Sequence, residues 1–165
     1  MKPTSGAERL RAAVLTISDG CAAGRREDRS GPLVAAALAE AGFQVTVREV
    51  LPDEQSAITA RLKELAQEVA LVVTTGGTGF GPRDVTPEAT LAASERLAPG
   101  LAELMRQQGA QAAPFAWLSR GVAGLRGATL YLNLPGSPRG ADESLRLVLP
   151  LLPHALALLR GQTEH

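Results

Sequence analysis

Aromatic residues are scarce in this chain: three phenylalanines, one tyrosine and one tryptophan make up 3% of it. That leaves no platform on which nucleic-acid bases stack. Lysine plus arginine and aspartate plus glutamate both number 17, so no overall positive field favours a polyanionic macromolecule either. One cysteine, Cys21, cannot close an internal disulfide, and two histidines, one of them the terminal His165, cannot build a zinc cluster. Magnesium held by carboxylates stays open. The chain also lacks any stretch of about 20 apolar residues that would span a bilayer. Its start, "MKPTSGAERLRAAVLTISD", sets charges before a short apolar run and has no signal-peptide core, so a cytoplasmic location is expected. With 165 residues, 45% hydrophobic and 21% charged, the expectation is one globular domain over residues 1–165 with a single core.

Ala12 to Ile17, "AAVLTI", is a continuous apolar run of strand length, which predicts a central parallel strand buried on both faces. After the charged loop "CAAGRREDRSG", Pro32 to Ala41 reads as a helix closed by Gly42. Phe43 to Val50 alternates apolar and polar side chains, which suits a strand nearer the sheet edge. Asp53 is a natural N-cap for a helix through about Val69, in which Ile58, Leu62, Leu65 and Val69 form one stripe. Ala70 to Val73 is the next buried strand, and Thr86 and Pro87 open a helix. Leu101 to Gln108 reads as a helix, Ala113 to Leu118 as an apolar segment of unsettled type, and Ala128 to Gly136 as a strand stopped by Pro135. From about Ala141 a leucine-rich helical pattern runs to Leu159, interrupted by Pro150 and Pro153. Alternating strands and helices predict a three-layer α/β sandwich with a mostly parallel central sheet.

The stretch "TTGGTGFGPRDVTPEAT", Thr74 to Thr90, leaves the carboxyl end of a predicted strand, where open α/β sheets bind ligands. Gly76, Gly77, Gly79 and Gly81 could turn several backbone N–H groups into one phosphate-holding nest. No lysine follows as in a Walker loop, and the run does not enter a helix as a dinucleotide fingerprint does. The helix start at "DVTPEA" adds further amide donors for an anion. Bound polyphosphate is commonly neutralised by magnesium on one or two carboxylates, and Asp84 stands at the loop where one is needed. A salt bridge between Asp84 and Arg83 is the structural alternative, and Glu88 is equally good first-turn chemistry. Asp53, Ser18 and Asp19 follow the first two strands on the same predicted edge. "LNLPGSP" adds Asn133, able to make a two-way hydrogen bond, and Gly136, a second close backbone approach. Together these residues read as a nucleotide pocket.

The blocks "TISD", "LPDE", "TTGGTGFGPRDVTPEAT" and "APFAWLSRGVAGLRGATLYLNLPGSP" resemble, in order and spacing from Val14 to about Leu159, the MogA/MoaB family of molybdenum-cofactor biosynthesis. The chain looks most like the MogA-type molybdopterin adenylyltransferase branch, related to plant Cnx and gephyrin G domains. The resemblance implies a homotrimeric α/β protein that transfers AMP from Mg-ATP to molybdopterin and passes its product toward molybdate insertion by a partner protein. It makes Asp53 and Asp84 the essential carboxylates, serving Mg2+ and transfer geometry. Gly76, Gly77, Thr78 and Gly79 would hold nucleotide phosphates. Ser18, Asp19, Ser119, Asn133, Pro135 and Gly136 fall at pocket positions for nucleotide or pterin. Asp28, Arg29 and Ser30 recur in the family loop but also read as a solvated charge run, Cys21 as a small surface residue, and Phe115 and Trp117 as core or trimer-interface residues. The alternatives are a MoaB-like pterin or nucleotide binder, or trimeric scaffold, without turnover, and a magnesium-dependent nucleotide hydrolase, for which no water-positioning base is found.

Overall fold

The computed structural model describes residues 9–162, so the first eight residues of the N-terminal segment and the terminal His165 lie outside it. Six strands form one sheet in the order β2-β1-β3-β6-β5-β4: β1 Arg11–Ile17, β2 Gln44–Leu51, β3 Leu71–Thr75, β4 Arg96–Leu97, β5 Ala123–Arg126 and β6 Thr129–Leu134. Strands β2, β1, β3 and β6 run parallel, while β5 is antiparallel to both of its neighbours. This is the mostly parallel α/β sandwich expected. In-register pairing of Val14 with Val73, and of Val73 with Leu132, places the most apolar segments side by side at the centre.

Side chains alternate across the sheet, so each central strand feeds two cores. Ala12, Val14, Leu71, Val73, Leu130 and Leu132 face one layer of helices, which adds Val34, Leu38, Met105, Leu145, Leu152 and Leu156. These come from α2 (Ser30–Glu40), α5 (Pro99–Ala112), α6 (Pro138–Val148) and α7 (Leu152–Leu159). Ala13, Leu15, Ile17, Val72 and Tyr131 face the other layer, where Ile58, Leu62, Leu65, Ala89 and Ala93 come from α3 (Gln55–Leu65) and α4 (Thr86–Ala93). Truncating a fully buried leucine such as Leu15 to alanine costs about 2–5 kcal/mol in cores of this kind. The Tyr131 hydroxyl donates to Leu62 O at 2.8 Å, and burial pushes its pKa up to about 12.

Several boundaries differ from the sequence reading, each for a local reason. Helix α2 begins at Ser30 because Asp28 accepts from the Gly31 N–H at 2.9 Å, ahead of Pro32. Helix α3 ends at Leu65; Val69 completes its stripe from the following turn and is still buried. Helix α6 starts at Pro138, capped by the Ser137 hydroxyl on Gly140 N–H. Pro150 falls in a 3-10 turn, Leu149–Leu151, that separates α6 from α7, and Pro114–Leu118 is also a 3-10 turn. The short α1, Asp19–Ala22, and the short strands β4 and β5 were not expected: two to four residues carry no readable periodicity. Phe115 and Trp117 are 82% and 59% exposed, so they are not core.

Candidate active site

Three loops leave the carboxyl ends of β1, β2 and β3 and meet. Ser18 closes β1, with its N–H on Leu51 O at 2.9 Å and its hydroxyl accepting from Cys21 N–H at 3.2 Å, which starts α1. The next residue is locked to the β2 loop by a reciprocal pair: Asp19 N–H donates to Asp53 Oδ2 at 2.8 Å, and Asp53 N–H to Asp19 Oδ1 at 3.0 Å. Asp53 is therefore not the N-cap of α3, a position taken by Glu54 without a side-chain cap. Its carboxylate is used across the edge.

The glycine run divides in two. Gly76 and Gly77 have φ of 100° and 68°, a region that side-chain-bearing residues avoid. A Cβ at Gly76 would sit 2.3 Å from Ile17 O; one at Gly77 would sit 2.3 Å from Thr86 Oγ1 and 3.1 Å from Asp53 Oδ1. The Asp53 carboxylate thus lies directly against the Gly77 backbone. Gly79 and Gly81 have no positive φ; instead they leave room for Asp84, whose Oδ2 would be 3.0 and 2.8 Å from their added Cβ atoms and accepts from Gly81 N–H at 2.9 Å. One four-glycine nest is not what forms. Gly136 brings the β6 loop against Gly76, since its Cβ would be 3.2 Å from Gly76 Cα.

These loops border a cleft of about 620 Å³, within the range of small-molecule sites. Of the residues singled out from sequence, Ser18, Asp53, Gly76, Gly77, Asp84 and Gly136 line it. Asp19 does not; it faces a neighbouring depression and is held by Arg83, with Nε on Oδ2 at 3.0 Å and Nη2 on Oδ1 at 3.1 Å. Arg83 therefore pairs with Asp19, not with Asp84 as the structural alternative had it. Thr78 is buried, and Ser119, Asn133 and Pro135 border a separate cavity of about 30 Å³. Asn133 makes its two-way hydrogen bond inside the fold, donating to Thr74 Oγ1 and Thr90 Oγ1 at 3.0 Å each while accepting from Val122 N–H at 3.1 Å.

The α1–α2 loop forms the rest of the wall with Cys21, Arg26, Glu27, Asp28, Arg29 and Ser30. Asp28 is no solvated charge: its Oδ2 accepts from Thr16 Oγ1 at 2.9 Å, in a space that only glycine at position 31 leaves open. Arg26 and Ser137 line the cleft unpredicted. Their neighbours in sequence, "EDRS" and "LPG", were the available signal. Burial raises the Asp53 pKa above its ordinary value, and the charges of Asp19 and Asp84 push the same way against the Asp19 N–H. The Arg83 hydrogen bonds hold Asp19 below the ordinary range.

Residues 13–154 match the family described as probable molybdopterin binding domain. A molybdenum cofactor biosynthesis bifunctional protein of Synechococcus elongatus is 39% identical over 96% of this chain, which spans 50% of that protein's length. The molybdopterin adenylyltransferase of Helicobacter pylori (strain 26695) is 40% identical over 90% of this chain and 86% of its own length. The solved structure of the molybdopterin biosynthesis enzyme MoaB from Thermus thermophilus superposes with a TM-score of 0.87 at 51% identity, covering 92% of this chain and 97% of that one. With the family match running from β1 into α7, the chain belongs to the molybdopterin-binding family of MogA and MoaB.

Proposed function

We propose that this protein is a molybdopterin adenylyltransferase, transferring AMP from ATP to the terminal phosphate of molybdopterin. An oxygen of that phosphate attacks the α-phosphorus of ATP; the bond to the α–β bridging oxygen breaks, and pyrophosphate leaves with its electron pair. Both reactants are anions, so the chain's work is alignment and charge compensation rather than proton transfer. The observation that carries the reading is the Asp53 carboxylate set against the positive-φ Gly76–Gly77 backbone with Asp84 on the same cleft.

The cleft wall carries Glu27, Asp28, Asp53 and Asp84 against Arg26 and Arg29, an excess of negative charge where an anionic nucleotide must bind. A cation resolves that conflict, and the residues fit magnesium. Asp53 and Asp84 would hold it, and when bound it neutralises phosphate oxygens. Among the described residues no three or more His, Cys, Asp or Glu side chains form a metal cluster, which suits an ion completed by water and substrate oxygens rather than a protein cage. Ser18, Gly76, Gly77 and Gly136 line the cleft as ligand contacts in this reading. We assign Asp19, Thr78, Gly79, Ser119, Asn133 and Pro135 to the support behind them.

The same reading takes residues 1–165 as one such domain, cytoplasmic and homotrimeric. The exposed Phe115, Trp117 and Leu118 favour a subunit contact. No helix among the described residues is long and apolar enough to cross a membrane. That the Synechococcus relative is called bifunctional is in keeping with a molybdate-inserting activity acting next. The test is incubation of the purified protein with Mg-ATP and molybdopterin, following adenylylated molybdopterin and pyrophosphate by chromatography. Product is expected from the wild type and not from Asp53→Ala or Asp84→Ala, with circular dichroism unchanged. Binding of both ligands without product would assign the protein to the MoaB-like binders instead.

A further inference from the structure

Arg120 does not line the cleft, yet it makes three hydrogen bonds to the loop that carries Asp84. Its Nε donates to Gly79 O at 2.8 Å, its Nη2 to Asp84 O at 2.8 Å, and its backbone N–H to Thr78 O at 2.8 Å. Its Nη1 pairs with Glu88 Oε1 in the first turn of α4. The peptide segment around it is fixed in turn from α5, where Arg106 Nη1 donates to Ser119 O at 3.2 Å and Gly121 O at 2.8 Å. The Ser119 hydroxyl accepts from Gly121 N–H at 3.2 Å and closes that segment on itself.

Besides Arg120, the loop is tied from outside by the more exposed pair of Arg83 with Asp19. Between Thr78 and Asp84 the backbone carbonyls of Thr78, Gly79 and Asp84 all end on Arg120, while the internal bonds are Asp84 N–H on Gly81 O and Gly81 N–H on Asp84 Oδ2. With only the exposed Arg83–Asp19 pair as an outside anchor, the turn's internal bonds would open more often, and the Asp84 carboxylate would shift with them. A planar guanidinium can address two carbonyls and a carboxylate at fixed angles at once; a lysine ammonium on a flexible stem cannot.

We propose that Arg120 is a positioning residue for Asp84: from outside the cleft it sets the height and angle at which the loop presents that carboxylate. The role of Asp84 at magnesium rests on the function proposed above, but the hold on the loop does not. Residues that orient metal-binding carboxylates change metal affinity by about ten- to a hundred-fold when replaced. Arg120 should therefore act on the magnesium requirement more than on turnover at saturating magnesium.

Two measurements test this. Hydrogen exchange on the ligand-free protein is expected to speed up by at least about ten-fold at the Gly81 and Asp84 amides in Arg120→Lys, with the β1, β3 and β6 amides unchanged. The half-saturating magnesium concentration for AMP transfer is expected to rise by about ten-fold or more, with a smaller change in kcat at saturation. Unchanged loop exchange, or a loss of kcat at an unaltered magnesium requirement, overturns the proposal. If the wild type transfers no AMP, the proposed function fails, and the exchange result together with magnesium-dependent binding of an ATP analogue methylene-bridged between the α- and β-phosphates decides the role of Arg120. Should Arg120→Lys not fold, Glu88→Gln decides: it keeps an acceptor but removes the charge, and it should shift both readouts the same way by a smaller factor.

Discussion

The two halves of one glycine-rich loop are built on different principles. At Gly76 and Gly77 the constraint is backbone: positive φ and contact with Ile17 O, Thr86 Oγ1 and the Asp53 carboxylate leave no room for any side chain. At Gly79 and Gly81 the backbone is ordinary, and the missing side chains make space for one carboxylate, Asp84, in a turn held from outside by Arg120. The first half is welded to the sheet edge through Gly76 N–H on Leu134 O at 3.1 Å and Thr86 Oγ1 on Gly76 O at 2.9 Å. The second half hangs on side chains. Glycine recurrence in a sequence is therefore not one signal: the half nearer the strand lines the cleft with its own backbone, and the half farther away makes room for the carboxylate that lines it.

Substitution should separate them. Gly76→Ala carries the largest expected effect: left-handed backbone strain plus collision with an immovable carbonyl should cost about 3 kcal/mol or more, read as a lost or strongly lowered denaturant midpoint. Gly77→Ala meets a side chain instead, so its cost should shrink by about 1 kcal/mol or more in a Thr86→Ala background, measured by a double-mutant cycle. Gly76→Ala should show no such relief. Gly81→Ala should cost about 1 kcal/mol or less in stability while displacing Asp84, and AMP transfer should fall by about ten- to a hundred-fold. A Gly81→Ala protein that is as unstable as Gly76→Ala would erase the distinction.

The smallest expected effect concerns Asp53 and pH. Burial raises its folded pKa above the unfolded 3.8, so the folded state holds the proton more tightly. The stability this gives is complete below the unfolded value and is lost as pH rises through the raised one. At neutral pH the ionised Asp53 is thus a liability that the proposed magnesium would relieve. Asp53→Asn, which keeps an acceptor for the Asp19 N–H, should raise Tm by a few degrees at neutral pH without magnesium, and the gain should vanish as pH falls below the ordinary carboxylate value. Scanning calorimetry across that window checks both parts.

Much of this arrangement was legible. The apolar runs of β1 and at the start of β3 named strands buried on both faces, because such burial favours apolar residues at successive positions, and the alternation in "FQVTVREV" named the sheet edge where β2 stands. Parallel strands then required Ser18, Asp53 and Gly76 to share an edge. Asn133, in the strand expected there, bonds two threonines inside the fold rather than a ligand in the cleft, because a strand's apolar pattern does not show where one polar side chain finds buried partners. Asp19 was read as a ligand contact and is spent on Asp53 and Arg83.

By itself, then, the sequence determined the class of fold, the edge on which the cleft lies and two carboxylates, Asp53 and Asp84, that line it, since periodicity and strand-end position are local properties. Only the tertiary structure decided which glycines bend backbone and which make room, and that Arg120, distant in sequence from Asp84, holds it. Hydrogen bonds between segments so far apart depend on how the segment before β5 docks on the loop after β3, and no window of sequence encodes that geometry.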